Sequence, residues 1–484
     1  MEKLTNILED VNVEMTVGEG TVDIRQITFD SRDVGESDLF VALKGATTDG
    51  HLFIQKAIRQ GARAIVCETL PAELTPGVVF IKVPDSHLAL GQMAANFYGH
   101  PSANLKLVGI TGTNGKTTTA TLLYELFTNL GYKVGLISTI ENKIGRQPVP
   151  ATHTTPDALS TNLLIRDMVE SGCDFAFMEV SSHAIHQKRI AGLQFAGGVF
   201  TNITHDHLDY HKTFKAYLEA KKMFFDNLPE TAFALINADD KNGRIMVQNT
   251  RAKVYRYALR KPAEFKAKIL ENLLSGLHLI LDDTDFYARL TGRFNALNLL
   301  AAYGTAILLE QDKLEVFTAL SALRPAEGRF EVLTSPDQSK TAIVDYAHTP
   351  DALEKVLQTI DELKEGHAKV ITVVGCGGDR DRGKRPKMAK IACDYSDQVF
   401  LTSDNPRSED PEAILEEMKT GIPAYASQKV IAIANRREAI RAACMTAPPG
   451  AIILVAGKGH EKYQEIKGIR HHFDDKEILR EALK

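Results

Sequence analysis

The stretch that most constrains this chain is residues 108–119, VGITGTNGKTTT. An apolar run, Leu105 to Ile110, breaks at a Gly-Thr-Asn-Gly turn, after which Lys116 and three threonines lead into Leu122, Leu123 and Leu126 at helical spacing. Strand, tight loop and helix start follow one another directly, an order that belongs to α/β folds. The first N–H groups of a helix have no partner inside it, so glycines that let the backbone curl around an anion turn them into a phosphate cradle. In such a loop Lys116 supplies a point charge to the β- and γ-phosphates and Thr117 a hydroxyl for Mg²⁺. The pattern G-x-x-x-x-G-K-[ST] is met incompletely, because its first glycine falls at Ile110, with Gly109 and Gly112 on either side.

A chain of 484 residues exceeds one ordinary core, and roughly 150 residues per domain suggests about three. Residues 1–100 mix short strands (Val22–Phe29, Leu39–Leu43, Ala64–Cys67, Val78–Lys82) with helices such as Ser86–Tyr98, and His100-Pro101 reads as a boundary. Residues 101–330 open with the phosphate loop and alternate strand and helix (Val134–Ser138, Ala158–Glu170, Phe175–Val180, Thr213–Leu228), then pass through a polar, strand-rich patch to a helix at Asn295–Leu309. Such alternation implies a parallel sheet with helical crossovers. Residues 331–484 restart the pattern, and their strands end in DYAH, GCGGDR, SDNPR and AGKGHE. Ligands of open α/β sheets sit beyond the carboxyl ends of the strands, so this block also has a site. The expected fold is therefore α/β in three domains, with a P-loop-type parallel-sheet ATPase domain in the centre and a Rossmann-like C-terminal domain.

Composition excludes several classes. A formal charge of −5 without a long basic stripe gives no footprint for nucleic acid. No stretch approaches the ~20 apolar residues of a membrane span, and the N-terminus MEKLTNILEDVNVEM lacks a signal peptide's uninterrupted core. Five cysteines (Cys67, Cys173, Cys376, Cys393, Cys444) without C-x-x-C spacing indicate neither a disulfide framework nor zinc. A cytoplasmic monomer is the expectation.

Three segments add chemistry to the loop. FAFMEVSSH (175–183) is an apolar strand that delivers Glu179 at its end, a hard oxygen ligand suited to Mg²⁺. In TNITHDHLDYH (201–211), His205, His207, Asp209 and His211 alternate, but no partner ligands follow at structural-zinc spacing. One histidine assisting a magnesium site is the modest reading. In TFKAYLEAKKMFFDNL (213–228), read as a helix, Phe214, Tyr217, Leu218 and Phe225 form an apolar face with Lys221 near its centre, while Lys222 lies well off it. Either Lys221 snorkels to water over that face, or burial lowers its pKa and leaves a neutral amine able to take up CO₂ as a carbamate beside the metal.

Together these motifs resemble the ATP-dependent Mur ligases of peptidoglycan synthesis, over essentially the whole chain. The likeness rests on DSRDVGESDLFVALKG (30–45), GITGTNGKTTT (109–119), ATHTTPD (151–157), MEVSSHAIHQKRI (178–190), TNITHDHLDYH, YLEAKK, TGRFNALN (291–298), EGRFE (327–331), DYAHTPDAL (345–353), GGDRDRGKRP (377–386), SDNPR (403–407) and AGKGHEKYQ (456–464). The resemblance implies an ATP- and Mg²⁺-dependent ligase that adds meso-diaminopimelate to the D-glutamate of UDP-MurNAc-L-Ala-D-Glu through an acyl phosphate. By position, Ser31 matches the segment holding the UDP moiety, and Thr154, Thr155, Ser181, Gln187 and Arg189 match contacts to the muramoyl-dipeptide. Gly112, Thr113, Asn114, Gly115, Lys116, Thr117 and Thr118 match the wrap around the ATP phosphates; Asn295, Arg329, Asp345, Tyr346 and His348 match positions around the rest of the nucleotide. Thr117, Glu179 and His207 match magnesium ligands, and Lys221 matches a carbamylated lysine. Arg380, Asp404, Asn405, Pro406, Arg407, Gly457 and Glu461 match the diaminopimelate contacts. Arg407 offers a planar fork to the distal carboxylate that lysine lacks, and Glu461 suits the distal ammonium.

Lysine-adding relatives lack the arginine of SDNPR. Folylpolyglutamate synthetase shares the G-T-N-G-K loop but is opposed by the T-T-P, H-Q-K-R and D-N-P-R segments. From a different class, an ATP-driven switch or motor predicts turnover without any amino acid. A dinucleotide site in the third block is opposed by Arg380, which stands where G-x-G-x-x-G needs its last glycine.

Overall fold

In the computed structural model, which describes residues 1–18, 22–45, 48–151, 153–206 and 208–484, the loop strand Lys106–Thr111 lies inside an 11-stranded sheet. Seven neighbouring strands run parallel: Val134–Ile137, Phe175–Glu179, Lys106–Thr111, Gly197–Phe200, Phe233–Asn237, Lys253–Ala258 and Phe265–Leu273. The expected parallel sheet is thus present, but antiparallel hairpins extend both ends, Asn142–Ile144 with Gln147–Val149 and Gly276–Leu281 with Thr284–Ala288. The second hairpin is the strand-rich patch of the sequence; Gly276–Leu281 alternates buried and half-buried positions, as a sheet with one wet face does.

Alternation along the loop strand sorts two cores. Val108 and Ile110 pack with the helices Lys116–Asn129 and Arg293–Leu308, whereas Leu107 packs on the opposite face with the helix Phe214–Asp226. Gly109 faces that second helix. A Cβ there would lie 2.5 Å from Phe224 Cζ, with Val180 Cγ2 at 2.9 Å and Phe195 Cε1 at 3.0 Å closing the other sides. Gly198 on the next strand is crowded in the same way, 2.8 Å from Phe224 Cε1. Missing side chains on the sheet therefore let this helix settle deep enough for its buried face to reach the end of the loop strand.

The N-terminal region holds a five-stranded sheet, ordered Met15–Val17, Val79–Lys82, Ala62–Cys67, Asp38–Val41, Ile27–Thr28. The single strand expected at Val22–Phe29 is instead two short ones in different sheets, Asp23–Ile24 and Ile27–Thr28. The break has a physical cause: buried Asp38 captures Arg25 Nη2 and Gln26 Nε2, each at 2.9 Å, and the Arg25 N–H turns to Ser37 O.

The C-terminal sheet is ordered Glu331–Thr334, Thr341–Asp345, Ile452–Ala456, Val370–Cys376, Gln398–Ser403, Val430–Ala432, parallel except for the first strand. Its first helix, Pro350–Leu363, buries Leu353, Val356, Leu357, Ile360 and Leu363 on one stripe and begins at the N-cap Thr349. Asp345, Cys376, Ser403 and Ala456 end adjacent parallel strands, so the four polar loops emerge along one edge. Gly109→Ala is expected to cost about 1–3 kcal/mol by overpacking and to weaken ATP binding by displacing the Lys221 helix; denaturant unfolding and calorimetric titration measure both, and an unchanged protein would contradict this account of the helix.

Candidate active site

The phosphate loop is held from behind by the Thr201-Asn202 backbone and side chains. Thr113 N–H donates to Asn202 O at 2.7 Å, Asn114 N–H to Asn202 Oδ1 at 3.0 Å, and Thr201 Oγ1 to Asn114 O at 2.7 Å. Gly112 (φ +154°) leaves no room for a side chain, because a Cβ would collide with Thr201 Oγ1. Gly115 (φ +85°) is the N-cap of the helix Lys116–Asn129 and provides no side-chain cap, which leaves the first-turn N–H groups for a ligand. A Cβ on it would meet Asn298 Oδ1 at 2.6 Å. Asn295 is linked to the loop through Asn298, whose Nδ2 donates to Asn295 Oδ1 at 3.2 Å.

Lys116 folds back over the loop, its Nζ donating to Gly112 O and Thr113 O at 2.9 Å each. Burial lowers its pKa, opposed by the charges of Glu179 and Asp206. Lys221 reaches the same carbonyl from the opposite face of the sheet, donating to Gly112 O at 2.8 Å with Nζ 4.9 Å from the Tyr217 ring centre. At 1% exposure Lys221 does not snorkel. Burial first and the Lys116 charge second push its pKa well below the ordinary lysine value, with Asp206 acting the other way. Lys222 instead pairs with Asp226 at 2.7 Å.

Glu179 is wholly buried at its strand end. Oε1 accepts from Thr139 N–H at 2.7 Å, while Oε2 has no hydrogen-bond partner among the described residues. The open Glu179 oxygen and the Thr117 hydroxyl are oxygen donors that would suit a hard divalent cation, and the open helix N–H groups would suit an anion such as phosphate. Beside them Thr155 Oγ1 donates to Glu179 O at 2.8 Å and contacts Ser181 Oγ at 3.3 Å. Arg189 Nη1 donates to Thr155 O at 3.0 Å and its Nη2 to Gln187 Oε1 at 2.6 Å, and Thr139 Oγ1 donates to Thr154 Oγ1 at 3.1 Å. The structure thus gathers Thr154, Thr155, Ser181, Gln187 and Arg189 around Glu179.

From the C-terminal side, Arg329 Nη2 donates to Thr117 Oγ1 at 3.1 Å and its guanidinium lies 4.4 Å from the Tyr346 ring centre. Asp345 accepts N–H bonds from Phe330 and Ala347 at 2.7 Å each, and burial raises its pKa. His348 Nδ1 bonds Tyr346 O at 3.0 Å, so Nδ1 carries the proton. Burial and nearby Lys384 lower its pKa to about 4. Asp351 Oδ2 accepts from Asn114 Nδ2 at 2.7 Å and Thr204 Oγ1 at 3.0 Å, tying this block to the loop itself.

The remaining predicted residues form a second cluster along the same edge. Asn405 Nδ2 donates to Glu461 Oε2 at 2.8 Å. Gly457 (φ +117°) packs against Asp404, where a Cβ would lie 2.7 Å from Oδ2, and its N–H donates to Asp345 O at 3.0 Å. Arg407 Nη1 donates to Gly378 O at 2.8 Å, and Gly378 has no space for a Cβ beneath Pro406 O. Arg380 is exposed on the neighbouring turn. Burial and the Asp404 charge raise the Glu461 pKa. Ser31 stands apart in the N-terminal region, 3.4 Å from Lys56 Nζ, and His207 lies outside the described residues. Sequence reasoning missed Asp206, Asp351 and Lys458; acids and a lysine inside recognised motifs were the available signal.

Family models match in three places: the Mur ligase family catalytic domain at residues 23–98, the Mur ligase middle domain at 110–306, and the Mur ligase glutamate ligase domain at 328–459. The chain is 57% identical over 482 residues (99% of each chain) to UDP-N-acetylmuramoyl-L-alanyl-D-glutamate--2,6-diaminopimelate ligase of Cytophaga hutchinsonii. It is 56% identical over 481 residues, again 99% of each, to the protein of that name from Phocaeicola vulgatus. A solved structure of a ligase with the same name superposes with a TM-score of 0.69 at 33% identity, covering 99% of this chain and 98% of the other.

Gly112→Ala is expected to reduce ATP affinity at least tenfold while leaving the fold intact, since a backbone shift of the loop breaks the cradle without touching either core. Calorimetric titration with a nonhydrolysable ATP analogue, alongside a melting curve, reads both quantities; full affinity would contradict the geometry of the cradle.

Proposed function

Since this chain belongs to the Mur ligase family, we propose that it joins meso-diaminopimelate to the D-glutamate of UDP-MurNAc-L-Ala-D-Glu at the expense of ATP, in peptidoglycan precursor synthesis. The observation that carries the reading is the gathering of Lys116, Lys221 and Glu179 at the loop, both lysines donating to Gly112 O and the Glu179 charge acting on Lys116, with a polar cluster attached through the Asp345 O to Gly457 N–H bond. We assign residues 1–100 to the UDP substrate, 101–330 to ATP and 331–484 to the amino acid. Among the described residues no helix is long and apolar enough to cross a membrane, and our reading places a monomer in the cytoplasm.

A free carboxylate does not acylate an amine. The D-glutamate carboxylate therefore first takes the γ-phosphoryl group of ATP, its oxygen forming the new P–O bond as the bond to ADP breaks. The amine of the incoming amino acid then attacks the acyl carbon, loses a proton, and expels phosphate. Transfer of this kind depends mostly on positioning and electrostatics. Lys116 and the N–H groups from Gly112 to Thr118 hold the phosphates, while Arg329 directs a second positive charge at Thr117. Thr154, Thr155, Ser181, Gln187 and Arg189 orient the dipeptide, and Ser31 lies with the uridine end. Thr117, Glu179, His207 and Lys221 as its carbamate are the residues that would hold Mg²⁺, which when bound neutralises charge between phosphates and carboxylate. Asn295, Asp345, Tyr346 and His348 surround the nucleotide; His348, neutral above about pH 4, adds no charge there at working pH.

On the amine side Arg380 and Arg407 face the distal carboxylate, with Asp404, Asn405, Pro406, Gly457 and Glu461 shaping the pocket. Lysine would leave the Arg407 fork unpaired, and a site built for a polar partner rejects the analogue lacking it by roughly 10⁴. Phosphate release should accordingly require UDP-MurNAc-L-Ala-D-Glu, ATP, Mg²⁺ and meso-diaminopimelate together, with L-lysine about 10⁴-fold poorer in kcat/KM. Arg407→Ala should collapse that ratio mainly by weakening diaminopimelate. Equal use of lysine by the unaltered protein would refute the specificity, and release without any amino acid would refute the ligase reading.

A further inference from the structure

Lys458 is wholly buried, yet none of the roles above uses it. Of its three ammonium donors, one reaches Asn405 Oδ1 at 3.1 Å and another Glu461 Oε2 at 3.0 Å, and Asp404 Oδ1 lies 3.9 Å away. Asn405 Nδ2 closes a triangle on the same Glu461 oxygen at 2.8 Å, while Asn405 Oδ1 also accepts the Glu465 N–H at 2.9 Å. Both ends of the Asn405 amide are thus committed, and Glu461 Oε2 has two donors. No hydrogen bond from the described residues occupies Glu461 Oε1.

We propose that Lys458 is a positioning residue of the amino-acid subsite: it fixes Glu461 and Asn405 so that the open Glu461 oxygen meets the distal ammonium of the diamino acid. The inference rests on the reading of that subsite given above. Two observations support it beyond the triangle itself. The backbone carrying Lys458 is anchored independently, because Arg436 Nη2 donates to Ala456 O at 3.0 Å while Arg436 holds buried Asp475 in a two-pronged pair at 2.8 and 2.7 Å. Lys458 is therefore free to act on the pocket rather than to hold its own strand. Charge count gives the second: with Arg436 and Asp475 neutralising each other as a buried pair, Asp404 and Glu461 against Lys458 leave a single negative charge, which one ligand ammonium balances. Without Lys458 two carboxylates would share the pocket, and Glu461 would favour its protonated form, which donates where it should accept.

The test is a double-mutant cycle on the full-length enzyme with Lys458→Met, Glu461→Gln and both, reading kcat, the KM of each substrate and the melting temperature. Lys458→Met should raise the KM for meso-diaminopimelate roughly thirtyfold or more, the scale for stripping the partner from a buried charge, with the KM for ATP within about twofold. In the Glu461→Gln background the same change should add less than about threefold, since Lys458 acts through Glu461. Should the Met variant not fold, Lys458→Gln, which keeps hydrogen bonding but no charge, should raise the same KM selectively. An unchanged diaminopimelate KM, a proportional rise in every KM, or additive effects in the cycle would overturn the proposal. If the unaltered enzyme ignores diaminopimelate, the functional reading fails instead, and the cycle is not what decides it.

Discussion

One carbonyl oxygen, that of Gly112, accepts hydrogen bonds from two lysines, half-buried Lys116 at 2.9 Å and buried Lys221 at 2.8 Å. Two ammonium groups that share one acceptor repel each other, and burial disfavours the charge on both. Glu179 and Asp206 supply the nearest opposing charge. Loss of a proton or arrival of an anion would relieve that repulsion. In the proposed reading, phosphate at Lys116 and a carbamate on Lys221 would each do so.

The fold brings this about through absent side chains. Gly109 and Gly198 let the helix Phe214–Asp226 sink onto the sheet, and Gly112 lets the loop press against Thr201. Arg329 and Asp351 then bring the C-terminal sheet to the loop, one through Thr117 and the other through Asn114. The strand end at Asp345 serves both halves, its side chain held beside Arg329 and its carbonyl holding Gly457 of the amino-acid cluster. The loop proposed to hold phosphates and the pocket proposed for the nucleophile are consequently linked through Arg329-Phe330 and Asp345.

Much of this was legible in the sequence where the information is local. The strand, loop and helix around Lys116 follow from an apolar run, glycines and helical spacing, and the helical wheel alone separated Lys221 from Lys222. The proposed role of Arg407 in specificity came from resemblance to known ligases; nothing in the periodicity of SDNPR points to a carboxylate. What stayed hidden depends on distant partners. Asp351 meets Asn114 across 237 residues and Lys458 meets Asn405 across 53, and neither residue is unusual in its own window. The broken strand near Arg25 has the same origin, since Asp38 rearranges a segment that local pattern reads as continuous. The hairpin of Gly276–Leu281 with Thr284–Ala288 was visible only as polar, strand-rich chain because one of its faces is wet, and the hairpin of Asn142–Ile144 with Gln147–Val149 was not anticipated.

The central claim concerns the charge on Lys221, and carbon-13 NMR of the enzyme equilibrated with labelled bicarbonate tests it most directly. A carbamate carbon resonance should appear with the unaltered protein, be absent from Lys221→Met, and fade as acidification protonates the amine whose pKa burial has lowered. No such resonance, together with a Lys221 that titrates like a free lysine, would contradict the account.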